Sequence, residues 1–244
     1  MKIVSLNIRH GGGKRLPKIL DWLAHAEADF ILLCEWRFNP SGVAIERSLQ
    51  SEGYLTSGYA RGCNENGVLV ASKQSHTASR ITPTGADKGE MIKVKCGRTI
   101  LICSYFPQKN AKKPFFEVAH EQLASSEGPA MLLGDLNTGS NEIDLEEGAI
   151  RFFCAGEFME LQTRAGTQDL WRLCHGESAK EWSWHSGKNG FRIDHALGNQ
   201  SITTAFPNLS CWYDHSTRSE GISDHSALLI DLGAENLSAA PAPK

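Results

Sequence analysis

The sequence predicts an α/β fold in which mixed β-sheets pack together and helices lie outside them. Short apolar runs alternate with segments of helical spacing, and turn signals join several of these runs as hairpins. Elements that alternate in this way bury their apolar faces by forming layers of sheet and helix. Because no linker-like break occurs earlier, we expect one domain over residues 1–234 and a disordered Ala/Pro-rich tail over 235–244.

The predicted strands are apolar or alternating runs bounded by turn residues. Residues 29–36 are apolar until Glu35, which indicates a buried strand that ends in a carboxylate. Asn66-Gly67 predicts a turn into the next strand, and Cys96-Gly97-Arg98 separates two runs that can form a hairpin. We predict strands over 2–9, 29–36, 68–72, 91–95, 99–105, 130–137, 191–197 and 226–232.

Four segments have the spacing of amphipathic helices. The first carries Pro17 near its start, where proline is tolerated because the first helical N–H groups have no partner within the helix. Gly53 follows the second and is suited to close it, since glycine readily adopts the left-handed conformation found at helix ends. We predict helices over 16–26, 43–50, 114–126 and 143–160.

The composition is that of an ordinary globular protein, with 41% hydrophobic and 22% charged residues in 244. The formal net charge is −3 and the isoelectric point is about 6.3. Such a chain has no strong basic field with which to hold a nucleic acid by phosphate attraction alone. Any polyanion must therefore be held locally, by a basic patch or by a metal.

The seven cysteines are odd in number, and no pair has C-x-x-C spacing. The N-terminal residues lack the apolar core of a secretory signal, and no run approaches 18 apolar residues. We therefore expect reduced thiols, a cytoplasmic location, no membrane contact and a monomeric protein.

Several predicted strands end abruptly in carboxylates or amides. Asn7, Glu35 and the pair Asp135 and Asn137 all follow apolar runs. Carboxylates are costly to bury unless they are paired or bound to a cation. Strand ends that converge on one edge would collect oxygen ligands that suit Mg²⁺ or Mn²⁺. Each residue taken singly could instead be a hydrogen-bonding strand end or part of a turn.

A second cluster lies near the C-terminus. Asp194 interrupts an apolar run, and Asp224-His225 directly precedes the last predicted strand. A histidine oriented by a carboxylate can transfer a proton or stabilise charge on a phosphate. Asp224-His225 could also be a helix cap or a surface ion pair. His195 follows Asp194 directly and should point to the other face of its strand, which favours a structural role.

Other catalytic motifs are incomplete. His10-Gly11-Gly12-Gly13 is similar to the HGGG segment of lipases, but no G-x-S-x-G nucleophile motif accompanies it. The chain also lacks a Walker A loop and zinc-type Cys/His spacing. The glycine run is therefore interpreted as a flexible loop after the first strand.

The motifs together occur in a recognisable order over residues 2–232, and they resemble the endonuclease/exonuclease/phosphatase superfamily, most closely its exonuclease III / abasic-site endonuclease branch. The resemblance implies a four-layered α/β sandwich with two packed sheets flanked by helices, and a catalytic site at one edge of it. The motifs that carry it are Leu6-Asn7, Leu33-Cys34-Glu35, Tyr105-Phe106-Pro107-Gln108, Gly134-Asp135-Leu136-Asn137, Arg192-Ile193-Asp194 and Ser223-Asp224-His225.

The resemblance also implies roles for individual residues. Glu35 would be the principal ligand of a divalent metal, Mg²⁺ or alternatively Mn²⁺, helped by Asn7 and Asp224. Asp135 would be the base for the attacking water, and Asn137 would orient that water or the phosphate. Tyr105 would contact the phosphate or the leaving group. His225, charged by Asp194, would contact the phosphate.

Substrate contacts are expected on both sides of this site. The resemblance places Trp184 and Phe191 where an extrahelical sugar or base is held, although both could be core aromatics. Arg192 should face away from Asp194, toward a neighbouring phosphate. Gln108 and Arg9 complete the substrate-binding set. Lys109, Lys112 and Lys113 could contact a phosphate backbone or form a solvated loop.

The implied function is hydrolysis of DNA by an abasic-site endonuclease, a 3′→5′ exonuclease, or both. DNA is accordingly the expected partner. One departure is Arg9, which lies where the family usually has a polar or acidic residue, and it casts doubt on a second metal position. The alternatives are a superfamily hydrolase of another phosphoester, such as RNA, a nucleotide or a lipid head group, and a catalytically inactive binding module.

Overall fold

The computed structural model describes residues 1–236 and contains two six-stranded mixed sheets. The first sheet combines the N-terminal strands with the last two strands of the described chain, because β1 pairs with both β2 and β14. Its order is β13-β14-β1-β2-β4-β3. The strands are β1 Lys2–Asn7, β2 Phe30–Trp36, β3 Leu55–Tyr59, β4 Gly67–Ser72, β13 Ser210–Asp214 and β14 Ala227–Asp231.

The second sheet is built from the middle of the chain, in the order β5-β6-β7-β8-β12-β9. Its one parallel pair, β7 with β8, corresponds to the parallel pair β1 with β2 in the first sheet. A short hairpin of β10 and β11 lies apart from both sheets. These strands are β5 His76–Ile81, β6 Glu90–Cys96, β7 Thr99–Tyr105, β8 Ala130–Asp135, β9 Gln168–Asp169, β10 Trp184–Ser186, β11 Asn189–Phe191 and β12 Asp194–Gly198.

Helices cover the outer faces of the two sheets. One apolar cluster joins alternate residues of the first sheet to α1 and α2, and another joins the second sheet to α3 and α4. The helices are α1 Leu16–His25, α2 Pro40–Ser51, α3 Lys113–Ala124, α4 Ala155–Ala165, α5 Leu170–His175, α6 Gln200–Ala205 and α7 Ser216–Ser219, with 3-10 turns over Gly13–Arg15 and Lys109–Lys112.

The inner faces of the sheets form a third apolar cluster between them. Phe30, Leu32 and Cys34 enter it from β2, and Leu101 and Cys103 enter it from β7. Because the side chains of a strand alternate between its two faces, the neighbours of these residues belong to the outer clusters. Helices, sheet, sheet and helices therefore make four layers, and the predicted α/β sandwich is confirmed.

Three of the strands that sequence patterning missed lie at sheet edges. Leu55–Tyr59, His76–Ile81 and Ser210–Asp214 each end one of the sheets and consist mostly of exposed or partly exposed residues. Edge strands bury only part of their surface, so they carry little apolar signal. The predicted strand over 191–197 is divided in the structure, because Asn189–Phe191 pairs in the short hairpin before Asp194–Gly198 joins the second sheet.

The helix predicted over 143–160 is wrong in its first half. Residues up to Cys154 are irregular, and the helix spans Ala155–Ala165. The preceding segment makes long-range bonds instead, since the Asp144 carbonyl accepts a hydrogen bond from the Arg192 N–H and Leu145 bridges Phe191. Tertiary pairing therefore outweighs the local helical spacing.

None of the helices in residues 1–236 combines the length and the apolar character needed to cross a lipid bilayer. All seven cysteines are free thiols, four of them buried, as expected from their spacing. From residue 237 onward the predicted tail lies outside the described residues.

Candidate active site

The ends of the central strands meet at one edge of the sandwich. In the first sheet Asn7 is in register with Cys34, and in the second Tyr105 is in register with Asp135. Asp194 lies opposite Asp135 on the antiparallel neighbour. Side chains from both sheets therefore converge, as the repeated strand-end carboxylates predict.

Glu35 reaches this edge because the strand is bulged there. The register of β2 against β4 shifts between Cys34 and Trp36, and Glu35 has a left-handed φ of 58°. Cys34 faces the core between the sheets, whereas Trp36 packs on the outer side. Glu35 is thus an extra residue inserted at the rim, and a bulge commonly redirects a side chain in this way.

The Glu35 carboxylate is almost completely buried, with 8% of the residue exposed, and both of its oxygens accept hydrogen bonds. The Asn7 amide nitrogen donates to Oε1 over 3.1 Å, and the His10 backbone N–H donates to Oε2 over 2.7 Å. The same Asn7 amide nitrogen donates to Asp135 Oδ2 over 2.8 Å. Asn7 therefore links the acids of the two sheets.

Asp135 is held by donors on both oxygens. Besides Asn7, the Asn137 backbone N–H donates to Oδ1 over 2.8 Å, and the Asn137 amide donates to Oδ2 over 3.2 Å. Burial and the neighbouring Asp194 carboxylate raise the pKa of Asp135 to about 7. A carboxylate with a pKa near neutrality is suited to act as a general base.

Asp194 and His225 form a buried pair, with Nδ1 of the imidazole 2.8 Å from Asp194 Oδ2. Burial lowers the pKa of His225, but Asp194 more than offsets this and raises it to about 9. The imidazole is therefore protonated at neutral pH. The Asp194 backbone is fixed by Tyr213, whose hydroxyl donates to its carbonyl over 2.6 Å.

Tyr105 closes the opposite side of the site. Its hydroxyl accepts a hydrogen bond from the Asn66 amide over 3.3 Å, and burial raises its pKa, so it remains a neutral donor. Tyr105 and Gln108 line a polar cleft of about 580 Å³ that also contains Glu35 and His10. The predicted phenol and glutamine therefore lie beside the predicted metal ligand.

The donors at this edge fit a hard divalent cation. Oxygen or nitrogen atoms of Asp135, Asp194 and His225 lie within 4.8 Å of one another, but the protonated His225 ring pairs with Asp194 and has no lone pair to offer a metal. Asp224 Oδ1 is buried and has no hydrogen-bond partner among residues 1–236, although Oδ2 lies 3.3 Å from the Trp184 indole nitrogen. An orphaned buried carboxylate oxygen is costly unless a cation or water satisfies it.

An aromatic surface flanks His225. The Trp184 ring lies 6.2 Å from the His225 ring and 5.8 Å from the Phe191 ring, and Phe191 also packs on Phe152 at 5.6 Å. Trp184 is partly exposed, whereas Phe191 is buried. Arg9 approaches Asp224 on the same side, with 3.5 Å between Nε and Oδ2.

Arg192 is not available to a substrate, and the prediction of a phosphate contact is wrong. The residue is fully buried, and its guanidinium binds Asp144 over 2.7 Å and Asp169 over 2.5 Å. Arg172 pairs with the same Asp144. A buried guanidinium that binds two carboxylates links segments of the fold beneath the site and is not exposed to solvent.

Replacing Arg192 by Met is expected to lower the free energy of unfolding by about 3–5 kcal/mol, since buried Asp169 loses its guanidinium partner and buried Asp144 keeps only Arg172. Burial alone would raise the pKa of Asp169, but Arg192 and His195 hold it well below its usual range. A lowered pKa contributes stability that is lost as the pH falls below the unfolded value of about 4. In urea unfolding, the difference in free energy of unfolding between the wild-type protein and Arg192→Met should therefore become smaller as the pH is lowered from 6 to 2.5.

Arg164→Met is the matched control, because Arg164 lies on the exposed surface of α4 and pairs there with Glu117 of α3. It should change the unfolding midpoint little, as is usual for exposed ion pairs. An equal effect of the two substitutions would contradict the structural role of Arg192.

The structure adds residues that the sequence patterns did not single out. The Asn66 amide contacts the Tyr105 hydroxyl, and the His10 backbone N–H contacts Glu35. Ser223 Oγ donates to the Asn7 carbonyl and joins the C-terminal motif to β1. Lys112 is buried and donates to the Asn137 carbonyl. It is therefore neither a phosphate contact nor part of a solvated loop, and both predicted alternatives are wrong for this residue. These links join distant segments and leave no local signature.

Comparison with known proteins places this geometry in a family. The model described as Endonuclease/Exonuclease/phosphatase family matches residues 4–225. No curated protein matches the chain. Among solved structures, a 3′-5′ exonuclease (NExo) from Neisseria meningitidis has a TM-score of 0.81 at 21% identity, covering 95% of this chain and 99% of that one.

Two further structures share the fold. An AP endonuclease from Archaeoglobus fulgidus has a TM-score of 0.79 at 18% identity and covers 96% of this chain and 100% of its own. A variant of the 3′ phosphatase NExo from Neisseria, bound to product DNA hairpin, has a TM-score of 0.77 at 21% identity. The match covers 95% of this chain and 98% of that one.

Proposed function

Because the chain belongs to the endonuclease/exonuclease/phosphatase family, we propose that it is a divalent-metal-dependent phosphodiesterase of DNA, acting as an abasic-site endonuclease, a 3′→5′ exonuclease, or both. The observation that carries the proposal is the convergence of Glu35, Asp135 and the Asp194–His225 pair at one edge of the sandwich. These groups supply a metal ligand, a base and a cation within one site.

The metal would be Mg²⁺ or Mn²⁺, held by Glu35 with Asp224, and Asn7 would contact Glu35 and Asp135 without being a ligand itself. When bound, it supplies positive charge that stabilises the developing charge on the phosphate. The Asn7 amide nitrogen faces the carboxylates, because its oxygen accepts from the Arg9 N–H over 2.8 Å. This favours Asn7 in orienting Glu35 and Asp135.

Asp135 is assigned to the attacking water. Its pKa of about 7 leaves an appreciable deprotonated fraction at neutral pH while keeping it basic enough to accept a proton. Asn137, which is bonded to both Asp135 oxygens, orients this carboxylate. The water attacks phosphorus and its proton passes to Asp135, while the bond from phosphorus to the leaving oxygen breaks and that oxygen takes up a proton from solvent water.

His225 and Tyr105 are assigned to the phosphate. The imidazolium of His225, held by Asp194, places a fixed positive charge where the transition state accumulates negative charge. Tyr105 is a neutral phenol that can donate a hydrogen bond to a phosphate or leaving oxygen. Both act most strongly on the transition state, so they affect kcat more than substrate binding.

DNA is favoured as the substrate by the aromatic surface beside His225. Trp184 is partly exposed and packs at a tilt against Phe191, which suits an unstacked sugar or base. The solved neighbours include a 3′-5′ exonuclease and an AP endonuclease, which is consistent with this class. The net charge of −3 requires local rather than broad contacts with the backbone.

The test is incubation of the protein with Mg²⁺ or Mn²⁺ and three labelled oligonucleotides. A duplex with one internal abasic analogue should be incised 5′ to it, a recessed 3′ end should be shortened, or both should occur. The third carries a 3′-phosphate, because one solved neighbour is a 3′ phosphatase. Turnover of a small phosphoester with all DNA left intact would contradict the proposed substrate, and no turnover of any phosphoester would contradict catalysis.

A further inference from the structure

The loop after β1 has an unusual backbone. All five residues from Arg9 to Gly13 have positive φ, with values of 51°, 53°, 72°, 80° and 51°. Gly11 and Gly12 are buried, whereas sequence alone indicates a flexible loop. The turn bends the chain back over Glu35, whose side chain and carbonyl accept the His10 and Gly11 N–H groups over 2.7 and 2.8 Å.

This turn brings the His10 imidazole against the Glu35 carboxylate. Nδ1 lies 2.9 Å from Glu35 Oε2, 3.0 Å from Arg37 Nη2 and 3.3 Å from Asn66 Nδ2. Arg37 and Asn66 are both donors, so they indicate a lone pair on Nδ1. That lone pair also faces the carboxylate oxygen at a distance where two acceptors repel unless a proton or a cation lies between them.

We propose that His10 is an additional ligand of the metal held by Glu35. The inference rests on the proposed function, because it requires a cation at that carboxylate. Adjacent ligands in an octahedral site with metal–ligand distances of 2.0–2.1 Å are about 3 Å apart. The separation between His10 Nδ1 and Glu35 Oε2 matches this value. The alternative is a hydrogen bond from the imidazole to Glu35 with no metal contact.

A nitrogen ligand changes which metal the site prefers. Mg²⁺ strongly favours oxygen ligands, whereas imidazole is accepted by Mn²⁺ and increasingly by later divalent ions. His10 would therefore raise the affinity for Mn²⁺ relative to Mg²⁺. We expect His10→Ala to raise the Kd for Mn²⁺ by roughly tenfold or more, with a smaller factor for Mg²⁺. Isothermal titration of each ion measures both values.

Direct evidence would come from electron spin echo envelope modulation of the protein with one equivalent of Mn²⁺. Two samples are compared, one with natural histidine and one with ¹⁵N-histidine. Imidazole ligation predicts a nitrogen coupling that changes with the isotope, without any substitution that could disturb folding. The coupling should disappear in His10→Ala and persist in His25→Ala, whose ring lies on the exposed surface of α1.

The outcomes separate the two proposals. Bound Mn²⁺ with no isotope-dependent nitrogen coupling would overturn the role of His10 and leave the metal site standing. Persistence of the coupling in His10→Ala would identify another histidine and also overturn it. Failure of wild-type protein to bind Mn²⁺ or Mg²⁺ at all would overturn the metal site itself, and the inference with it.

Discussion

Replacing His225 by Ala is expected to lower kcat on the preferred phosphoester by at least about a thousandfold, which corresponds to about 4 kcal/mol of transition-state stabilisation. The substitution removes a buried cation whose pKa is about 9 and leaves Asp194, its hydrogen-bond partner, facing the reacting phosphate. Loss of one fixed donor to a developing oxyanion typically costs a hundredfold to a thousandfold. Repulsion between the phosphate and the unpaired Asp194 carboxylate adds to that cost.

The measurement is steady-state kinetics at pH 7 with saturating metal, after circular dichroism has verified the fold. KM should change much less than kcat, because the charge acts mainly on the transition state. His25→Ala is the matched control and should retain wild-type kinetics, since its ring lies on the exposed surface of α1. A loss of tenfold or less in His225→Ala would show that this residue is peripheral to the chemistry.

The convergence of strand ends could be predicted from sequence because each strand carries its own signal. An apolar run that stops at a carboxylate is visible in one segment, as at Leu133-Gly134-Asp135. Sheet geometry then brings such ends together without further information. The order of these segments identified the family, and the four-layered fold follows from it.

Features that depend on pairing between distant segments could not be predicted. We expected Arg192 to face a neighbouring phosphate, yet Asp144 and Asp169 bind it from segments 48 and 23 residues away. Burial of a charge becomes favourable only when such partners exist, and local spacing does not reveal them. The same pairing removes residues before Ala155 from the predicted helix.

The bulge at Glu35 is a functional feature that could not be predicted from the sequence. Strict alternation would place Trp36 on the same face as Cys34, but the two residues belong to opposite clusters. The sequence indicates an acid at a strand end and carries no sign of the left-handed backbone that aims it. Local strain of this kind persists at functional sites because the surrounding structure over-determines it.

Replacing Glu35 by Ala is expected to abolish metal-dependent turnover and to raise the Kd for Mn²⁺ by more than about a hundredfold, because the principal charged ligand is lost. Isothermal titration with Mn²⁺ measures binding independently of catalysis. Arg164→Ala is a suitable control, since Arg164 lies on the exposed surface of α4 and pairs with Glu117 of α3. Near-normal activity in Glu35→Ala would refute the assignment of the metal ligand.

Glu35→Gly should lose metal binding to the same extent but unfold at higher urea concentration than Glu35→Ala. Both variants remove the carboxylate that accepts from Asn7 and from the His10 N–H, so these losses cancel in the comparison. They differ at a φ of 58°, where a side chain costs roughly 1–2 kcal/mol and glycine does not. We therefore expect the glycine variant to be more stable by about 1 kcal/mol, reduced by the greater freedom of glycine when unfolded. If the alanine variant were equally stable or more so, the positive φ at this bulge would not be a source of backbone strain.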